Sequence, residues 1–413
     1  MKKTMYSGLR HLLSGIVLGM FSHGAQAGSA EIRAEFRPDP ANPMLNQFKN
    51  NMPSSGYCAW FTAFCNRNNL FSLDMPIGAF PQTSGGPVPA MHANPRQGAY
   101  LKVPSEWRTL TVTNERGNTE QLEVRISGIG GRADHFLNVE EIPGYYEGLW
   151  STGRWHKAPA PCLPSGGLNG TSWFVVFFWL VPENAGACAT QALFDLPNFE
   201  YRYLQFGYEL RTPKPLGMPT GVYRGTIVYT AGPGMDFDLG DRVVPRESDV
   251  TLNFVLSVEH ILKVEVPPGG DRIELIPQGG WQAWVQQGRR PTRLFRDQTF
   301  IIGSSSPFKI QLECQFPMGN TCGLQAASGE TVPLNIAVSL PGGIGDESGQ
   351  PVKRKPLLLD GSGTRLFTSN YYVDRRPGTL HFEIPASEVE PMFAPGAPDR
   401  YAGTVTVIWD SEV

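Results

Sequence analysis

The sequence predicts an all-β chain that folds as two β-sandwich domains. Glycine and proline account for 46 and 36 of the 413 residues, a density of chain-breaking residues that leaves little room for long helices. Between these turns, short runs of Val, Ile, Thr, Tyr, Phe and Trp alternate with polar residues, as in half-buried strands. No stretch keeps a 3.6-residue apolar period, so short strands joined by turns are expected throughout.

The N-terminus has the pattern of a secretory signal peptide. Three basic residues within the first ten precede an apolar stretch at 12–21 and a small-x-small sequence, Ala-Gln-Ala, at 25–27. The apolar stretch is too short to span a bilayer. We therefore expect residues 1–27 to be removed and the mature chain to begin near Gly28; a retained N-terminal anchor is the alternative.

Composition excludes some classes of partner. Removing the signal takes away three of the 35 basic residues and none of the 38 acidic ones, which leaves a net charge of −6. An acidic chain disfavours nucleic acid as a partner. The longest apolar run, at 173–181, has the length of a buried strand and stops at Pro182, so it is not a membrane helix.

The mature chain contains six cysteines, an even number that indicates disulfides in an exported protein. Six cysteines allow 15 connectivities, but short separations favour local pairs. The expected pairs are Cys58 with Cys65, Cys162 with Cys188, and Cys314 with Cys322. Zinc is the alternative, although no pair has CxxC spacing and no histidine-rich cluster is present.

Strand patterns divide the chain into a first domain at 28–258, a short linker at 259–261 and a second domain at 262–413. In the first domain, strands are expected at 108–113, 122–127, 173–180, 199–206, 225–230 and 250–258. In the second, they are expected at 262–266, 271–277, 299–303, 309–314, 334–340, 379–384 and 404–409. The glycine-rich residues 128–132 are expected to form a turn.

A Tyr-x-Gly-Thr motif followed by an alternating strand occurs in both domains. It appears as GVYRGTIVY at 221–229 and as DRYAGTVTV at 399–407, each late in its domain. The second copy continues to the end of the sequence, with Val405, Val407 and Trp409 alternating. A strand in that position leaves an exposed edge, or a place for a strand of another chain.

Motifs for catalysis are missing from the sequence. It has no Gly-x-Ser-x-Gly, His-Glu-x-x-His or phosphate-binding loop, so no enzyme, cofactor or metal site is expected. Arg154, Trp155, His156 and Lys157 form a candidate receptor-binding segment for a sugar or an acidic ligand. The reading we favour is a solvated loop whose tryptophans fold onto the core.

Carboxylates at 236, 238 and 241 raise the possibility of a calcium loop or a glycosidase pair. The run DFDLGD lacks the ligand count of an EF-hand loop. Acidic turns are also common on a chain of this charge, so an acidic turn is the expectation.

Taken in order, these features resemble the tip adhesins, or pilus biogenesis initiators, of the class 5 (alternate) chaperone–usher fimbriae of Gram-negative bacteria. The resemblance covers nearly the whole mature chain. It rests on the signal peptide, the two early cysteine pairs, and the segments at 215–229, 250–258, 271–280 and 400–409.

The resemblance implies an adhesin domain followed by an immunoglobulin-like pilin domain that lacks its last strand. A periplasmic chaperone and then the major fimbrial subunit would fill the groove by donor-strand complementation at an outer-membrane usher. Val405, Val407 and Trp409 would line that groove, and the Val413 carboxylate would be held by the chaperone. The protein would be exported through the periplasm to the fimbrial tip, where it would meet a host-surface or abiotic receptor.

This chain departs from the family at its receptor-binding arginines, since Pro53 and residues 232–234 stand at the roughly matching positions. Two rival functions remain: a secreted β-sandwich carbohydrate-binding protein or hydrolase, and a non-tip structural pilin. The pilin would need a free donor extension near Gly28. The segment at 30–36 soon meets Pro38 and Pro40, so it is expected to be a strand of the first domain.

Overall fold

A computed structural model describes residues 28–76, 86–153, 155–166, 169–245 and 247–411. Strands dominate these residues, so the prediction of an all-β fold is confirmed. The helices are short: α1 Tyr57–Trp60, α2 Thr62–Asn68, α3 Tyr146–Leu149, α4 Gln282–Gln287 and α5 Ala386–Met392. No helix in the described ranges is long and apolar enough to cross a membrane.

Residues 28–258, called here the first region, contain thirteen described strands. They are β1 Ser29–Phe36, β2 Lys49–Asn50, β3 Phe71–Asp74, β4 Ala99–Leu101, β5 Arg108–Thr113, β6 Thr119–Asp134, β7 Leu163–Pro164, β8 Asn169–Gly170, β9 Phe174–Leu180, β10 Cys188–Thr190, β11 Glu200–Arg211, β12 Gly221–Thr230 and β13 Asp249–Val258. The main sheet has the order β2-β1-β13-β12-β5-β6-β11-β3, and β9 pairs with β6, β7 and β8. A separate pair joins β4 to β10.

The prediction of a turn at 128–132 is wrong, because these residues lie inside the sixteen-residue strand β6. A Cβ added at Gly128 would lie 2.6 Å from the ring of Phe178, and one at Gly131 would collide with the carbonyl oxygen of Tyr203. Glycine at these positions lets β9 and β11 approach β6 from both sides. The glycines therefore permit close strand packing.

Residues 262–411, called here the second region, also contain thirteen described strands. They are β14 Leu262–Glu265, β15 Ile276–Pro277, β16 Leu294–Ser304, β17 Lys309–Cys314, β18 Pro317–Met318, β19 Thr321–Ala326, β20 Thr331–Ser339, β21 Ile344–Asp346, β22 Lys355–Pro356, β23 Phe367–Ser369, β24 Val373–Ile384, β25 Tyr401–Ala402 and β26 Val405–Asp410. The strand expected at 271–277 is confined to β15.

The described strands of the second region form one large sheet and two small ones. The large sheet has the order β14-β16-β24-β20-β19-β18, with β15, β22 and β25 at its sides. β17 pairs with β26, and β21 pairs with β23. The buried apolar side chains of the two regions form separate clusters, one from Ile32 to Val258 and the other from Leu294 to Val389.

Three residues at 259–261 connect β13 to β14. The Nε2–H of His260 donates to the carbonyl of Met218 at 2.8 Å, and its Nδ1 lies 3.1 Å from Ser305 Oγ. Its ring also meets Phe36 edge to face, at 5.6 Å between centroids. The connection is thus bonded to both regions, although the domain boundaries expected there stay a prediction.

Candidate functional site

In the first region, the Tyr-x-Gly-Thr segment forms β12 and lies between two other strands. β13 pairs antiparallel with all ten residues of β12. On the far side of β13, β1 pairs with it in parallel over eight residues. The order β2-β1-β13-β12 therefore places β12 inside the sheet, and the expectation that residues 30–36 form a strand of the first region is confirmed.

In the second region, the corresponding strand has a neighbour on one side only, among the residues that the structure describes. β26 pairs antiparallel with β17 over six residues. β14, the first strand of the region, pairs antiparallel with β16. Within the part of the chain that the structure describes, no strand pairs with the other edge of either β14 or β26.

The side chains along these two edges are apolar and only half covered. Val405, Val407 and Trp409 are half-buried and pack against the core of the second region, as do Leu262 and Val264 of β14. The Trp409 ring lies 5.0 Å from Phe300 and 5.9 Å from Phe308, between centroids. Val413, the fourth predicted groove residue, lies outside the described residues.

Disulfides link cysteines that are close in sequence, as the spacing predicts. Cys58 bonds to Cys65 between α1 and α2, and Cys162 bonds to Cys188 at the start of β10. Cys314 bonds to Cys322, which joins the end of β17 to β19. The third bond matters for the open edge, because β17 is the strand on which β26 rests.

The predicted receptor segment divides into residues of different exposure. Trp155 is only 2% exposed, so its side chain offers almost no surface to a receptor in this conformation. Its ring packs on Trp179 and Phe177, and its carbonyl accepts the Trp179 indole N–H at 2.6 Å. His156 is half-buried and Lys157 is exposed, while Arg154 lies outside the described residues. A buried tryptophan is what the reading favoured from the sequence expects, a solvated loop whose tryptophans fold onto the core.

The acidic turn after β12 is held by two arginines. Arg108 donates to Asp236 at 2.5 Å, and Arg96 donates to both Asp238, at 2.6 Å, and Asp241, at 2.8 Å. Burial alone would raise the pKa of Asp236 and Asp238, but hydrogen bonds from the arginines and from nearby backbone N–H groups outweigh it and lower both pKa values. In the described ranges, no cluster of three or more His, Cys, Asp or Glu side chains is arranged to hold a metal ion.

A Ser–His–Asp arrangement in the second region has no motif in the sequence. Ser339 Oγ lies 2.8 Å from His381 Nε2, and His381 Nδ1 lies 2.7 Å from Asp297 Oδ1. The three residues come from the adjacent strands β20, β24 and β16 and share the face of the sheet away from the core. The backbone N–H of Arg354 donates to Ser339 Oγ itself, at 2.9 Å, and so it is not directed at a neighbouring oxyanion position.

Comparison with known proteins gives structural similarity only. No family model and no curated protein matches the chain. The chain is similar to a chaperone–tip adhesin complex of CFA/I fimbriae, with 11% identity, 94% of this chain and 98% of that chain covered, and a TM-score of 0.26. It is similar to CfaE, the adhesive subunit of the CFA/I fimbria of enterotoxigenic Escherichia coli, with 10% identity, 93% and 98% covered, and a TM-score of 0.24.

A third similar structure is the CsuC–CsuE chaperone–tip adhesion subunit pre-assembly complex from the archaic Csu pili of Acinetobacter baumannii. Identity is 10%, 93% of this chain and 99% of that chain are covered, and the TM-score is 0.22. Because all three TM-scores lie below 0.5, the functional proposal rests on the open strand edges and their side chains.

Proposed function

We propose that this protein is a minor subunit at the tip of a chaperone–usher pilus, acting as an adhesin, as an initiator of assembly, or as both. Its second region would accept a strand from a periplasmic chaperone and then from the major fimbrial subunit at the outer-membrane usher. The acceptor slot is defined here as the unpaired edges of β14 and β26 together with the half-buried side chains along them.

The observations that carry this proposal are the edges of β14 and β26 that no described strand pairs with and the half-buried apolar side chains along them. Unpaired backbone N–H and C=O groups along an edge are a template for a further strand. Side chains at alternate positions of β26 leave apolar surface that an incoming alternating strand would cover. The first region supplies its own strand, β13, between β12 and β1, whereas β26 and β14 have no such strand in the described chain.

A tip position is supported by the state of β1. A shaft subunit donates an alternating N-terminal segment to its neighbour. The alternating segment that follows the predicted cleavage site is β1, and all eight of its residues pair with β13. Donating it would open the first region's sheet, so this segment is suited to completing its own domain.

The first region would then carry any receptor contact. Of the receptor segment predicted from sequence, His156 and Lys157 keep solvent-accessible side chains beside the buried Trp155. A host-surface or abiotic ligand remains the proposed class of receptor. The segment offers such a ligand the ammonium group of Lys157 and the half-buried imidazole ring of His156.

The test is to fuse a flexible linker and an alternating apolar strand after Val413. We expect the melting temperature of the second region to rise by more than about 10 °C and aggregation to cease, because the strand buries apolar surface and pairs both edges. The measurements are calorimetry and analytical ultracentrifugation of the fused and unfused proteins.

A matched control carries the same fusion with proline at alternate strand positions, since proline cannot donate to the ladder. This control should behave like the unfused protein. If the unfused protein is already a stable monomer and neither fusion alters its melting, the slot does not accept a strand and the proposal fails.

A serine hydrolase is a second candidate, favoured only by the geometry of Ser339, His381 and Asp297. A fluorophosphonate probe tests it directly, because an activated serine reacts with such probes and an ordinary hydroxyl does not. The tip-subunit proposal expects no labelling of Ser339. Labelling of the natural protein that disappears in Ser339→Ala would favour the hydrolase.

A further inference from the structure

The first described residue of the chain is anchored by a carboxylate far away in sequence. The backbone N of Gly28 lies 2.8 Å from Glu247 Oε2, in a partly buried contact that joins residues 219 positions apart. The carbonyl of Gly28 accepts the N–H of Thr251 at 3.2 Å. Gly28 is itself buried. Its backbone N–H and its carbonyl are thus both hydrogen-bonded at the point where β1 begins beside β13.

The residues immediately before Gly28 have the small-x-small form of a cleavage site, Ala-Gln-Ala at 25–27. Hydrolysis after Ala27 breaks the Ala27–Gly28 amide with one water. The hydroxyl joins the Ala27 carbonyl carbon, and a proton joins the Gly28 nitrogen. The freed amine then takes a further proton from solvent and becomes an ammonium group.

We propose that Gly28 is the mature N-terminus and that its ammonium group pairs with the Glu247 carboxylate, locking β1 onto β13 once the signal is removed. An amide offers Glu247 one uncharged N–H, whereas an ammonium offers three donors and a full opposite charge. Signal removal therefore strengthens the contact that is already present at 2.8 Å.

This inference rests on the export step of the proposed function and is independent of the acceptor slot. It also deepens the tip assignment. With the terminus bound at Glu247 and β1 starting at the next residue, the mature chain has no free segment ahead of β1 to donate.

The first measurement is the intact mass and N-terminal sequence of the protein exported to the periplasm. The expected N-terminus is Gly28. A different mature N-terminus overturns the proposal, and the strand-fusion test of the acceptor slot would remain valid.

The second measurement compares melting of three variants: Glu247→Gln, a protein whose cleavage site is moved so that one alanine precedes Gly28, and the exposed control Glu115→Gln. The first two should each lower the melting temperature of the first region by about 2 to 4 °C, and the control should not. The extended variant keeps Glu247 and every natural side chain, but it turns the Gly28 nitrogen into an amide and moves the ammonium group one residue away from Glu247.

The pH dependence has a definite sign. The ion pair needs the charged ammonium form, so raising the pH until the amine is deprotonated removes the opposite charge from beside Glu247. The stabilisation should therefore be present near neutral pH and weaker at alkaline pH. The extended variant should lack this loss. Equal melting of the natural and extended proteins at every pH overturns the ion pair.

Discussion

In the first region, the segment GVYRGTIVY runs as one strand, β12, with β13 on one side and β5 on the other. In the second region, the related segment RYAGTVTVIW is split: β25 pairs with β19, and β26 pairs with β17. Tyr223 of the first copy is fully buried, whereas Tyr401 of the second is partly exposed. Closely related local sequences thus end in different surroundings, because within the described residues a strand pairs along the full length of the first copy, whereas β26 pairs with β17 on one side.

The connection from β12 to β13, at 231–248, brings the chain back to pair with β12. It carries the acidic turn whose carboxylates are bound by Arg96 and Arg108. Those arginines come from outside the turn, one before β4 and the other at the start of β5. We therefore expect the turn to help hold β13 beside β12, and the predictions below test this difference between the regions.

The largest expected effect is the difference in unfolding free energy lost when a buried and a half-buried strand residue are each replaced by alanine. Phe254 of β13 is 1% exposed, so Phe254→Ala should cost about 3 to 5 kcal/mol of unfolding free energy. Val407 of β26 is only half-buried, so Val407→Ala should cost about 1 kcal/mol in the free protein. Urea unfolding measures both.

The same Val407→Ala substitution in the strand-fused protein should cost about 2 kcal/mol, because a donor strand would complete the burial of this side chain. Thr406→Ala, which changes an exposed neighbour on β26, provides the control and should differ little between the two backgrounds. An equal cost of Val407→Ala with and without the fused strand would contradict the proposed slot.

A middle-sized effect tests how the first region holds its own strand. Asp238 is 2% exposed and accepts two hydrogen bonds from Arg96, so Asp238→Asn should lower the unfolding free energy of the first region by about 2 to 3 kcal/mol. Asp271→Asn, an exposed position in the second region, is the control. Calorimetry should show a lower melting temperature of the first region in Asp238→Asn and not in Asp271→Asn.

Acid should act through the same carboxylates. Because the folded pKa values of Asp236 and Asp238 are lowered, their stabilisation is present above the unfolded pKa of an aspartate and is lost as pH falls through the folded values. The Asp238→Asn protein should therefore lose less stability on acidification than the natural protein. Parallel pH profiles would show that the acidic turn does not hold β13.

The smallest effect concerns the coupling of the two regions. His260→Ala removes hydrogen bonds to Met218 and Ser305 and should cost about 1 kcal/mol, seen as wider separation of two melting transitions. Burial lowers the pKa of His260 despite opposing backbone hydrogen bonds. As pH falls, the unfolded state therefore binds a proton at the usual histidine pKa, whereas the folded state binds one only at a lower pH.

The coupling between the two regions should therefore weaken as pH falls from the usual histidine pKa towards the lower pKa of folded His260. This weakening should occur in the natural protein and not in His260→Ala. His156→Ala, on the partly exposed loop, is the matched control and should leave both transitions unchanged within about 0.5 kcal/mol. Transitions that shift equally in both variants would remove His260 from any coupling role.

Much of the strand content was readable from residue patterns. The alternating runs at 250–258 and 404–409 appear as β13 and β26, and the cysteines pair with their near neighbours. The acidic turn was expected as a turn, but its arginine partners were not. Arg96 lies 142 residues from Asp238, and no sequence signal links positions so far apart.

Other features were misread for similar physical reasons. The glycines at 128–132 satisfy a turn pattern and a close strand approach equally well, and only the neighbours of β6 decide between them. The Ser339, His381 and Asp297 arrangement depends on cross-strand register, which motif searches along the chain do not detect.

The sequence by itself determined the period of the strands, many of the turns, the local cysteine pairs and the repeated Tyr-x-Gly-Thr segment. Alternation specifies which side chains share a face, because successive residues of a strand point to opposite sides. It does not specify which strands are neighbours. Tertiary structure alone decided that β12 lies inside a sheet while β26 lies at an edge, because edge coverage depends on backbone pairing between segments distant in the chain.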